Sequence, residues 1–123
     1  MYDIERIGQI ISDIEKYLKE IKGYSIKEKE DLQERKMYHA TSMLVFAILN
    51  KVIDLGERII FDEQLGAPKN SQEIMLKLAS AGVMNKQEAE QLSELLRKRN
   101  ILAHFYEDIN EKELVRLVKE LYL

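Results

Sequence analysis

The chain has no cysteine among its 123 residues. That absence excludes a disulfide framework, a thiolate zinc site and a cysteine nucleophile. It also accords with a reducing compartment. Proline occurs once, so no proline-rich linker divides the chain, and its length suits one domain spanning residues 1–123. Long hydrophobic runs are missing too. The longest, "MLVFAIL" at Met43 to Leu49, is far shorter than the roughly 20 residues that cross a bilayer. Asp3, Glu5 and Arg6 break up the N-terminus, where a signal peptide would need an apolar core. The expectation is a cytoplasmic protein with no membrane contact. Positive charge is not in excess either, since the formal net charge is −3. Any nucleic-acid contact must therefore come from a local basic patch.

What is present is helical periodicity. Ile4, Ile7, Ile11, Ile14, Leu18 and Ile21 step by three or four and predict one apolar stripe on a first helix, about Asp3 to Lys22. Gly23 offers a stop. Ser25 and Glu28 have capping-box spacing and open a second helical region running to about Leu65. Its beginning is highly charged. The stretch Met43 to Leu49 is apolar on every face, which predicts burial on several sides. Gly66 and Pro68 end the region. Asn70 with Glu73, Asn85 with Glu88 and Asn110 with Glu113 repeat one capping arrangement. They predict helices at about Ser71 to Ala81, Lys86 to near His104, and Glu111 to Tyr122. No strand or hairpin signal stands out. The fold expected is all-α, an up-and-down bundle of four to five helices.

One stretch carries chemistry. "RKRNILAHFY", Arg97 to Tyr106, puts three cations, an amide, a histidine and a tyrosine at the end of the fourth helix. Cations in a last helical turn favour the macrodipole, so "RKR" alone needs no function. The break required between Phe105 and Asn110 places His104 and Tyr106 at an interhelical corner, a position that suits a site. Asn100 and His104 are four apart and share a face. Arg99 precedes His104 by five, roughly 140° away on a regular helix. One straight helix does not bring these two onto one small ligand; a deformed helix end or a second copy of the chain does. His39 has no second histidine or cysteine near it in the sequence, and no metal site is expected. Glu57 and Arg58 read as a solvated or interhelical pair. Asp108 reads as a turn or cap residue. Met37, Met43, Met75 and Met84 read as packing residues.

The pattern Arg99, four residues, His104, one residue, Tyr106 resembles the signature of HepT-like toxins of the HEPN-domain superfamily. "ILNKVIDLGERII" is similar to the family's central helix. "GAPKNSQEIMLKLASAGVMN" is similar to its proline-containing loop and short helix, and "YEDINEKEL" to its approach to the last helix. The resemblance covers about Glu34 to Val118. It implies an all-α homodimer that cleaves RNA without a metal or other cofactor, with Arg99 and His104 of two subunits meeting in one cleft. Asn100, Tyr106, Arg97 and Lys98 would support catalysis or bind RNA, with transfer RNA or messenger RNA as the natural substrate. It further implies a type VII toxin–antitoxin pair, in which a minimal nucleotidyltransferase antitoxin transfers AMP to Tyr106. A non-catalytic helical adaptor that binds a nucleotidyltransferase or a nucleotide is the competing reading. A plain dimeric bundle is the third.

Overall fold

The computed structural model describes residues 4–105 and 109–121, and at residues 100, 101 and 103–105 its backbone alone. Five α-helices follow in order: α1 (Ile4–Gly23), α2 (Arg35–Asp62), α3 (Ser71–Ser80), α4 (Lys86–Phe105) and α5 (Glu111–Glu120). A short 3₁₀ turn, Lys29–Leu32, precedes α2. The described residues contain no strand, as the sequence leads one to expect.

The asparagine caps form as predicted. The Asn70, Asn85 and Asn110 side chains each accept from the backbone N–H three residues on, at 2.8, 2.7 and 2.8 Å. At Asn85 the Glu88 carboxylate also accepts from the cap's own N–H, completing the reciprocal box. Gly82 closes α3 at φ +81°, and Val83 N–H donates back to the Leu78 carbonyl, the six-to-one bond of a Schellman ending.

Gly23 ends α1, as expected, though not as a left-handed residue. Two i→i+3 bonds, Tyr24 to Ile21 and Ser25 to Lys22, tighten the last turn, and Ser25 takes the positive φ of 55°. Ser25 therefore does not cap a following helix. The cap belongs to the 3₁₀ turn, where the Asp31 carboxylate accepts from Lys27 and Glu28 N–H at 2.8 and 2.9 Å. Those two backbone donors, Lys27 first, hold the Asp31 carboxyl below its ordinary pKa. The second helical region is thus two elements.

The α2 helix is the centre of the bundle. It contacts α1, α3, α4, α5 and the 3₁₀ turn, while α3 packs along α4. That explains why Val45, Ile48 and Leu49 of its apolar run are buried. The run is not buried on every side, because Met43 is 59% exposed. The apolar stripe of α1 is also narrower than its sequence. Ile10 is buried, whereas Ile4 is 81% and Ile11 40% exposed. A helix that rests on one neighbour covers only the line facing it, here Ile10 and Ile21 with Leu18 beside the core. A Lys51–Asp13 ion pair at 3.3 Å ties α1 to α2.

The closest approach of α2 to α3 depends on Gly56. A Cβ there would sit 2.6 Å from Ile74 Cγ2. That methyl belongs to a stiff β-branched side chain with few alternatives. Gly56→Ala gains up to about 1 kcal/mol of helix propensity, but overpacking costs about 1–3 kcal/mol. The net expectation is a lowered denaturation midpoint, read by urea titration.

Candidate active-site cleft

Successive residues on an α-helix point about 100° apart, so Arg97, Lys98 and Arg99 leave α4 in three directions. Arg97 stays at the surface, 63% exposed, 3.4 Å from Glu94. Lys98 crosses to α5, and its Nζ donates to Glu113 Oε1 at 2.9 Å. Arg99 turns toward α2, where its Nη1 donates to Asn50 Oδ1 at 3.3 Å.

The Lys98 contact gives the corner between α4 and α5 a clamp that the sequence did not foretell. Glu113 is capped through its own N–H by Asn110 and gripped through its carboxylate by Lys98. Arg116 approaches the same carboxylate at 3.7 Å. The hydrogen bond from Lys98, and secondarily its charge, lowers the Glu113 pKa from an ordinary 4.5. A depressed carboxylate pKa adds stability above its unfolded value and loses it as pH falls through the folded one. Lys98→Ala is therefore expected to destabilise by about 0.2–1 kcal/mol at neutral pH, as half-exposed pairs do. The gap from wild type should close in acid, as pH falls through the lowered Glu113 pKa and the carboxylate is protonated. Thermal melts across that pH range check it.

Arg99 lies on a groove of about 760 Å³. Its apolar wall is Ile53, Ile60 and Phe61 of α2 and Ile74 of α3, and Glu57 and Lys69 bring charge to it. Phe61 is 73% exposed. The Arg99 Nε is buried and has no hydrogen-bond partner among the described residues. Of the guanidinium's five N–H donors, the one to Asn50 is thus committed, and the fork retains capacity for an incoming anion. Glu57 belongs to this groove rather than to a pair with Arg58. Arg58 instead reaches Asp62 at 3.7 Å and lies over the Phe61 ring at 5.5 Å.

The helix that carries the motif is continuous through Phe105. No deformation between Arg99 and His104 shortens the roughly 140° that separates them. The side chains of Asn100 and His104, and all of Tyr106 and Asp108, lie outside the described residues. On either side of them the chain is anchored. Leu102 and Ile109 are buried at 3% and 8% exposure. The hydroxyl of buried Tyr38 donates to the Ile109 carbonyl. Tyr38 also meets His39 edge-on, with ring centroids 5.7 Å apart, and Arg35 lies over its ring at 5.0 Å. Among the described residues, no three His, Cys, Asp or Glu side chains gather as metal ligands would. No helix among them is long and apolar enough to cross a membrane.

Sequence reasoning missed Asn50, Tyr38 and the groove role of Glu57. Asn50 left one readable signal, since it is the polar residue directly after the apolar run.

The family model described as "Ribonuclease HepT-like" matches residues 14–122. The chain belongs to the HepT-like ribonuclease family. Two solved structures share the fold of this HepT-like chain. A cytosolic protein of unknown function from Bacillus subtilis, YutE, superposes with a TM-score of 0.82 at 23% identity, covering 97% of this chain and 81% of that one. A crystal structure of a toxin–antitoxin with AMP-PNP superposes with a TM-score of 0.67 at 18% identity, covering 99% and 98%. No curated protein matches the chain.

Proposed function

We propose that this HepT-like chain is a metal-independent endoribonuclease, the toxin of a type VII toxin–antitoxin pair, acting as a cytoplasmic homodimer on transfer or messenger RNA. The observation that carries the reading is Arg99, a guanidinium that pairs with no carboxylate among the described residues and lies on an open groove in a chain of a ribonuclease family.

In the reaction, the RNA 2′-oxygen attacks the adjacent phosphorus and the bond from phosphorus to the 5′-oxygen breaks. One imidazole takes the 2′-hydroxyl proton and another delivers a proton to the departing 5′-oxygen, leaving a 2′,3′-cyclic phosphate and a 5′-hydroxyl. His104 of each copy suits these roles, because imidazole titrates near neutral pH. Arg99 stabilises the charge that builds on the phosphorane oxygens. Two-fold symmetry supplies the second histidine. It also meets the geometric problem of a straight α4. Asn100 orients His104 or donates to phosphate, and Tyr106 donates to phosphate or stacks on a base. Arg97, exposed and 3.4 Å from Glu94 of its own helix, steers RNA toward a protein of negative net charge. Lys98 contributes to that field while holding Glu113.

The partner reading is a minimal nucleotidyltransferase antitoxin that transfers AMP to Tyr106. The toxin–antitoxin neighbour with AMP-PNP supports it. A phosphodiester on Tyr106 would place negative charge and bulk where RNA phosphate must enter. The test is cleavage of single-stranded RNA in excess chelator. Cleavage that leaves cyclic-phosphate ends, and that stops when the 2′-oxygens are methylated, is expected. Cleavage of the methylated RNA would sink the mechanism.

A further inference from the structure

We infer that Asn50 is a positioning residue for the reaction, holding Arg99 in place with a neutral group so that the guanidinium's full charge stays available to RNA phosphate. The inference rests on the ribonuclease reading above. It starts from a contrast within the chain. Lys51, Arg58, Lys77, Arg97, Lys98 and Arg116 each meet a carboxylate within 4.0 Å. The described side chain that receives a hydrogen bond from Arg99 is an amide, Asn50 Oδ1 at 3.3 Å.

The difference has consequences for an anion. A carboxylate takes the planar guanidinium fork in two parallel bonds and cancels its charge. A phosphate would then have to displace it against like-charge repulsion. An amide oxygen occupies one donor, orients the plane and leaves the net charge at +1. The arrangement is built rather than incidental. Asn50, Ile53 and Glu57 recur at three- and four-residue steps along α2 and so share one face. Ile53 and Glu57 line the groove on which Arg99 lies. Asp54 and Glu57 follow Asn50 by four and seven positions along α2, yet among the described residues neither pairs with Arg99, whose acceptor is the neutral Asn50 amide. Burial of Arg99 Nε limits how far the guanidinium swings, and among the described residues the bond to Asn50 sets where its fork points.

The test compares wild type, Asn50→Asp and Asn50→Ala. It measures cleavage of single-stranded RNA, the Kd for the same RNA fully 2′-O-methylated, the salt dependence of that Kd, and the thermal midpoint. Asn50→Asp is nearly isosteric and keeps an acceptor, so its midpoint should be unchanged or raised. Its Kd should weaken about tenfold, and the slope of log Kd against log salt should fall by about 0.7, the loss of one phosphate contact on a single strand. Asn50→Ala should keep the slope, because the charge remains, and lose about tenfold or more in kcat, because the fork is misplaced. A merely structural Asn50 moves the midpoint and leaves the slope alone. An Asn50→Asp protein that folds, cleaves and binds with the wild-type slope overturns the inference while the ribonuclease reading stands. Wild type that binds but does not cleave overturns the ribonuclease reading, and the slopes still judge Asn50. Wild type that does neither overturns both. Should Asn50→Asp fail to fold, an Asn50→Ala protein with wild-type kcat overturns the inference.

Discussion

Arg99→Ala is expected to lower RNA cleavage by about 10²–10³-fold, the usual cost of removing one preorganised donor to transition-state charge. The helix should survive. Arg99 is half-buried rather than core, its hydrogen-bond partner among the described residues is the half-buried Asn50, and Asn50 can turn to water once the cation is gone. Removing a buried Nε that has no partner also relieves an unsatisfied donor. The stability change should therefore stay within about 1 kcal/mol, and circular dichroism should match wild type. Arg99→Lys separates charge from geometry. Lysine keeps the point charge but has no fork, so it should restore RNA binding better than it restores turnover. Wild-type cleavage by Arg99→Ala would remove Arg99 from the mechanism.

Leu114→Ala should be strongly destabilising, at about 2–5 kcal/mol. Leu114 is fully buried, at 0% exposure, in the first turns of α5, next to the Asn110 cap and the Lys98–Glu113 clamp. It belongs to the core cluster on the helix that packs against α2 and the 3₁₀ turn, and alanine leaves a void there. The thermal midpoint should drop by roughly 10–20 °C in a domain of this size. RNA cleavage at low temperature should fall much less than for Arg99→Ala, because no group that touches phosphate is removed. A midpoint within about 2 °C of wild type would contradict this account of α5 seating.

These two residues illustrate how unevenly the sequence speaks. Helix boundaries were readable wherever a side chain satisfies a nearby backbone group. Asn70, Asn85 and Asn110 each bond three residues on, so their caps are local facts. The family signature, Arg99 to Tyr106, is equally local. What the sequence hid depends on packing over long separations. Whether Ile10 or Ile11 faces the core is decided by how α1 lies on α2. Ser25, not Gly23, takes the left-handed turn because buried Ile21 and Ile26 fix the chain on both sides of it. The sorting of three adjacent cations into surface, clamp and groove needs α5 on one side and α2 on the other. Asn50 meets Arg99 across 49 residues, beyond the reach of any spacing rule.

The central claim is that one chain carries half of a catalytic site, since Arg99 and His104 stand roughly 140° apart on an unbroken helix. The most direct measurement dilutes the wild type with an inert copy. Wild type and an Arg99→Ala/His104→Ala double variant are unfolded together at rising proportions of the variant and refolded so that subunits exchange, and RNA cleavage is followed in chelator. A composite site that needs His104 from both copies predicts that activity falls as the square of the wild-type fraction, because mixed dimers hold one histidine and lack the other. Activity that falls only in direct proportion to the wild-type fraction would contradict the account.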